Sequence, residues 1–298
     1  MAQALLGLLV VGLAIRSLGT NWNSLRTQPV EWRINVAWLF TSLVIIWGMY
    51  AALVEAWRRV VLGMQQKLGY WAAARICMVA NLGRYIPGKI WSMAGAAVLA
   101  QRAGVAPGAA LAAGAIIQAL SLASGVLVVA ALAPRTLQTM GPAVITGMVV
   151  AGGVAALGVL ALTSPRAVGI IQRRLPTWIP QLTAIPPRAT LMAFAVNAAA
   201  WPVYGAALLC LIRGLTPHVH LSWLQGTAAF AASYAAGLIA VFAPAGLGPR
   251  ESVFVLLLIA PLGPKLAVAL AIATRVLLTI AELGAAAPFL IVRRRDFP

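Results

Sequence analysis

Apolar blocks long enough to cross a bilayer fill most of this chain, and no other feature limits its fold as tightly. A membrane-spanning helix needs about 20 predominantly apolar residues. The stretches 35–57, 107–132, 142–162, 190–212, 223–242 and 265–292 reach that length, and shorter apolar runs lie between them. Only 9% of the 298 residues are charged, against ~25% in a soluble domain. Lipid offers no hydrogen bonds to the backbone, so segments of this kind must satisfy their own polar groups as helices. The expected fold is therefore all-α, a polytopic membrane protein with about eight helical elements in a single transmembrane domain over residues 1–298.

The net charge of +17 would suggest nucleic acid in a soluble chain. Here the basic residues sit mainly in the joints between apolar blocks, as in loops facing anionic lipid, so no nucleic-acid partner is expected. Cys77 and Cys210 lie in apolar surroundings without a CxxC partner and read as small buried hydrophobes. The apolar start, Ala4 to Ile15, lacks a basic n-region and reads as a retained first helix.

Charged and Gly/Pro breaks divide the chain into elements over 3–18, 35–57, 70–84, 90–102, 107–132, 142–162, 190–212, 223–242, 250–261 and 265–292. A basic loop carries Arg166, Arg173, Arg174 and Arg188. Trp22, Trp32, Trp38, Trp57, Trp71, Trp178 and Trp223 fall near expected helix ends, as in an interfacial aromatic belt.

Two Pro/Gly breaks stand out. Tyr85-Ile86-Pro87-Gly88-Lys89 and Ala243-Pro244-Ala245-Gly246-Leu247-Gly248-Pro249-Arg250 each interrupt an apolar stretch and end on a cation. They read either as ordinary interhelical turns or as pairs of half-helices meeting at a polar cavity, because unpaired backbone in lipid must be covered by protein or water. Spacing favours the second reading. Pro87 to Gln118 and Pro244 to Arg275 are both 31 residues (118 − 87 and 275 − 244), and each break follows a full span. The halves, about 1–140 and 141–298, read as repeats offset by 157 residues (244 − 87).

Charge sets their orientation. With the arginines at 293–295 inside, the inside segments also collect Arg58, Arg59, Lys67, Arg75, Arg102, Arg166, Arg173, Arg174 and Arg188. The outside segments hold only Arg16, Arg26, Arg33, Arg135, Arg213 and Lys265. This bias follows the positive-inside rule. Both termini are expected in the cytoplasm, and the two broken, re-entrant pairs enter from opposite sides as an inverted repeat, a common transporter plan.

The run Asn81-Leu82-Gly83-Arg84-Tyr85-Ile86-Pro87-Gly88-Lys89-Ile90-Trp91 resembles the first signature of the flippase-like membrane family that includes the transmembrane region of bacterial lysyl-phosphatidylglycerol synthases. Pro244-Ala245-Gly246-Leu247-Gly248-Pro249-Arg250-Glu251 resembles its second, a Pro-Gly-Gly-Leu-Gly run closed by Arg-Glu, with Ala245 replacing one glycine. The resemblance implies movement of an anionic, aminoacylated or polyprenyl-phosphate-linked lipid between leaflets of a bacterial or archaeal cytoplasmic membrane. Larger members carry a soluble aminoacyl-transferase domain after the membrane part. This chain runs six residues past Val292, so lipid aminoacylation is not expected.

Charges inside apolar segments need a partner or a cavity. Lys89, Arg250 and Arg275 are the expected anion-binding residues, converging near the midplane with Glu251 and Glu282 holding the two arginines. Arg275 and Glu282, seven residues apart, share a helix face. Arg84, which could equally snorkel to the interface, Tyr85 and Gln118 complete the substrate-binding set. Pro87, Gly88, Pro244, Gly246 and Gly248 form the helix breaks. Asn81, Asn197 and Tyr234 are weaker candidates, and Ser121 and Ser124 fit interhelical hydrogen bonding. His218 and His220 have no acidic or Cys neighbour to complete a metal shell, so neither metal nor cofactor is expected. The five acidic residues are few for acid–base or metal chemistry. That favours transport over the alternative, a membrane-embedded enzyme acting on a lipid phosphate or lipid-linked sugar. A partner synthase or glycosyltransferase is a further expectation.

Overall fold

The computed structural model describes residues 32–85, 90–132, 142–174, 184–239 and 248–291. The first expected element, most of the first break including Pro87, Gly88 and Lys89, Pro244 and Gly246 of the second, and the arginine tail lie outside the described residues.

Among the described residues there are ten α-helices and no strand. They are α1 (Val36–Gly63), α2 (Tyr70–Asn81), α3 (Ile90–Arg102), α4 (Pro107–Leu132), α5 (Pro142–Thr163), α6 (Pro165–Arg174), α7 (Pro187–Leu215), α8 (Trp223–Ile239), α9 (Pro249–Leu262) and α10 (Pro264–Ile291). A 3-10 turn, Leu82–Tyr85, follows α2. Helices α1, α4, α5, α7 and α10 are long and apolar enough to cross a membrane. Six helices begin on a proline, whose fixed φ suits the first helical position and whose missing N–H would be unpaired there anyway. These prolines explain why most boundaries follow the apolar blocks so closely. Pro202, Pro261 and Pro288 lie inside helices, which membrane helices tolerate.

Two expectations need correction. The basic stretch after residue 164 is not all loop, since α6 forms there. The Ser164 hydroxyl accepts the Ala167 N–H at 3.4 Å, Pro165 opens the helix, and Arg173 and Arg174 sit in its last turn, next to its negative dipole end. Trp57 is not part of a belt. Helix α1 continues to Gly63, so Trp57 lies inside the helix and is 7% exposed.

The chain forms two compact units, one of residues 1–47, 125–148 and 201–281 and the other of 48–124, 149–200 and 282–298. In the first, α8 is buried along most of its length by small residues, Gly226, Ala228, Ala229, Ala231 and Ala232 among them, and packs on α9. Small side chains allow this closeness, which in lipid supplies the van der Waals contact that hydrophobic burial cannot. The Ser42 hydroxyl donates to the Ala207 carbonyl at 2.7 Å and Trp47 Nε1 to the Ala281 carbonyl at 2.9 Å.

In the second unit, Val54, Trp57, Val60, Val61, Ile76, Ile116 and Leu120 form an apolar core with Ala56, Ala73, Ala110 and Ala113. Gly83 explains how α3 returns against α2 and the 3-10 turn. A Cβ there would stand 2.6 Å from the Ser92 backbone nitrogen. The Ser121 hydroxyl donates to Asn197 Oδ1 at 2.5 Å, and Asn197 Nδ2 donates to the Ala193 carbonyl at 2.8 Å. This pins α4 to α7 as interhelical glue. Helix α5 exposes Val154 and Leu157 by 66% and 69%, a surface that suits acyl chains rather than water.

Candidate functional site

The second break delivers its charges through the start of α9. Gly248 takes φ 93°, a conformation open to glycine but costly for other residues, and Pro249 opens the helix. Glu251 then turns back so that its carboxylate accepts the Gly248 N–H at 2.8 Å. Glycine has no side chain to reciprocate, so only the return half of a capping box forms. The Gly-Pro-Arg-Glu run is thus a helix start that fixes a carboxylate in the first turn.

Arg250, beside it, lies over two rings of α8. Its guanidinium carbon is 5.3 Å from the Phe230 centroid and 5.9 Å from that of Tyr234, within cation–π range. Phe230 stacks on Tyr204, Phe254 meets Phe230 edge-on, and Trp201 packs against Tyr234. From α10, Arg275 approaches the other Glu251 oxygen at 3.8 Å, an ion-pair contact longer than a hydrogen bond. Arg250, Glu251, Phe254, Ala271, Thr274, Arg275 and Leu278 line a narrow cleft with room for about one water molecule. Arg275 and Glu251 are both partly buried, with side chains 21% and 27% exposed.

The other unit holds a charged group of its own. Arg84 donates to Glu282 at 2.7 Å and the Tyr85 hydroxyl donates to the second carboxylate oxygen at 2.6 Å. Glu282 is 6% exposed. Arg84 and Tyr85 are thus partners of Glu282 that the sequence reading did not join to it. Arg84 is committed to this ion pair rather than snorkelling.

Residues 2–284 match the family described as the lysylphosphatidylglycerol synthase TM region. The chain belongs to that family. The comparison with individual curated proteins returns no match. Membership in the lysylphosphatidylglycerol synthase TM-region family makes this a membrane-embedded, lipid-related protein, in keeping with its five membrane-length helices.

Of the site residues expected in this member of the lysylphosphatidylglycerol synthase TM-region family, one unit brings together Arg250, Glu251 and Arg275, and the other brings together Arg84, Tyr85 and Glu282. Gln118 is exposed on α4, and Lys89 lies outside the described residues. Sequence reasoning missed Phe230, Phe254 and Thr274. Phe230 precedes Tyr234 by four residues on α8, one turn away on the same face, and that spacing is the signal that could have found it. Thr274 had none beyond adjacency to Arg275. His218 and His220 are both exposed, and among the described residues no three His, Cys, Asp or Glu side chains gather as a metal site.

Proposed function

We propose that this protein moves a lipid with an anionic, aminoacylated or polyprenyl-phosphate-linked headgroup between leaflets. The observation that carries the reading is the Arg250–Glu251–Arg275 cluster at the start of α9. Two arginines and one carboxylate among apolar helices are costly unless they serve a polar passenger. Arg250, held over aromatic rings, is a fixed donor for a headgroup oxygen. In the same reading the two broken helix pairs re-enter from opposite sides of a cytoplasmic membrane as an inverted repeat, and both termini face the cytoplasm. The protein works as a transporter rather than an enzyme, beside a synthase or glycosyltransferase that makes or uses the lipid.

Reconstituting the purified protein with fluorescent phospholipid, and reading leaflet exchange and headgroup products in parallel, tests this. The expected result is exchange without a new product. A product that accumulates with time and is lost in Glu251→Gln would instead support an enzyme acting on a lipid phosphate.

A further inference from the structure

Helix α6 carries positive charge that its own fold does not account for. The membrane-length helix α5 ends at Thr163, and the membrane-length α7 begins at Pro187. The Ile185 N–H donates to the Leu162 carbonyl at 3.0 Å, which brings those two ends together. Helix α6 therefore belongs to a connection at one edge of the apolar layer. Its ten residues rise about 15 Å, too short to cross a hydrocarbon core of ~30 Å. Val168 is buried and Ile171 half-buried, so these side chains face the protein. Arg166, Gly169, Ile170, Arg173 and Arg174 are exposed. Steps of three and four residues put Arg166, Ile170 and Arg173 on one face, with Ile170 64% exposed between the arginines. The helix dipole favours Arg173 and Arg174 in the last turn but disfavours Arg166 in the first. No acidic residue lies between Glu55 and Glu251 in the sequence, so the adjoining chain offers these arginines no carboxylate.

We propose that α6 lies in the plane of the membrane and gathers anionic lipid headgroups of its leaflet, as boundary lipid rather than as cargo. Ile170 enters the boundary between headgroups and acyl chains, where an exposed apolar side chain leaves water. Arg166, Arg173 and Arg174 lay their apolar stems along the chains and donate their guanidinium N–H groups to headgroup phosphates. An isoleucine framed by arginines, at the joint of two spans, favours a lipid surface over an acidic soluble protein, because hydrocarbon lies within its reach there. The preference for anionic over zwitterionic lipid follows from the uncompensated charge, since each arginine near an anionic surface strengthens the attraction about fivefold. The inference uses the fold alone and stands apart from the transport reading. Helix α6 belongs to one unit and the Arg250 cluster to the other.

The test reads which lipids surround α6 in the full-length protein. Cys77→Ala and Cys210→Ala clear the background, and a fluorophore is attached at Gly169→Cys, where an added Cβ meets nothing within 4 Å. The protein is placed in vesicles of phosphatidylcholine and phosphatidylglycerol in equal parts. A quencher near the headgroup end of the chain is carried by one lipid or the other at constant overall composition. Labelled phosphatidylglycerol should quench as if enriched about fivefold over labelled phosphatidylcholine. The same fluorophore at Leu157→Cys, on the exposed face of α5, should see the two lipids alike. Arg166→Gln, Arg173→Gln and Arg174→Gln together should erase the enrichment at residue 169, while lysine at the same three positions should keep it. Raising salt from ~0.1 M to ~1 M, which cuts the screening length from ~10 Å to ~3 Å, should reduce it. Should the triple glutamine variant fold poorly, Arg166→Gln alone should lower the enrichment severalfold. Equal quenching by the two lipids at residue 169 would overturn the inference, as would enrichment that survives the glutamine variants. Enrichment as strong at residue 157 would overturn the assignment to α6. Quenching by neither lipid at residue 169 would place that face in water, open to a soluble acidic partner, and would overturn it too.

Discussion

Replacing Glu282 with alanine tests the ion pair that links α10 to the 3-10 turn after α2. The change removes the acceptor of both the Arg84 bond at 2.7 Å and the Tyr85 bond at 2.6 Å. Breaking a buried ion pair by removing one partner costs about 3–5 kcal/mol. Arg84 is 30% exposed and Tyr85 41%, so both recover some solvation, and about 2–3 kcal/mol is the reasonable expectation. Glu282→Gln keeps the volume and an acceptor for Tyr85 and should cost about 1–2 kcal/mol. Arg84→Met strands the better-buried carboxylate and should cost about 3 kcal/mol. The double variant Arg84→Met, Glu282→Met removes both charges and should return to within about 1 kcal/mol of wild type. Reversible unfolding in mixed micelles, titrated with a denaturing detergent, would give all four values. Losses that simply add in the double variant would refute the pairing.

Other consequences are more local. Gly83→Ala should destabilise by about 1–3 kcal/mol through overpacking, since the new methyl meets the Ser92 backbone; an unchanged unfolding midpoint would contradict the close packing of α3. Asn197→Leu should cost about 1–2 kcal/mol by leaving the buried Ser121 hydroxyl without its acceptor, and Ser121→Ala in that background should recover part of the loss, as the same titration would show. Single cysteines at Thr136 and Pro298 should label from outside and inside respectively with an impermeant reagent, and outside labelling of Pro298 would sink the proposed topology.

Much of the helical fold was legible because hydropathy and proline act locally. Pro107, Pro142 and Pro249 mark helix starts within one residue of where the apolar blocks placed them. Helix α6 escaped because Pro165–Arg174 is too short and too basic to look like a span, although Ser164 and Pro165 carried a helix-start signal. The cluster around Arg250 was partly legible, because charge inside an apolar run is conspicuous wherever it folds. The partners of Glu282 were harder to read. Arg84 and Glu282 are 198 residues apart, and nothing in local spacing favours that pairing over Arg275, which lies on the same face of α10. Thr274 is ordinary in sequence and becomes informative only when its hydroxyl is seen buried and unpartnered beside two arginines.

The central claim, lipid movement through the Arg250 cluster, is tested most directly by leaflet exchange of a fluorescent phosphatidylglycerol in vesicles holding purified wild-type protein or Arg250→Ala. Wild type should expose inner-leaflet lipid to an impermeant quencher well above the protein-free rate, and Arg250→Ala, confirmed as folded and inserted, should fall to that background. Wild-type protein at the background rate, or Arg250→Ala at the wild-type rate, would contradict it.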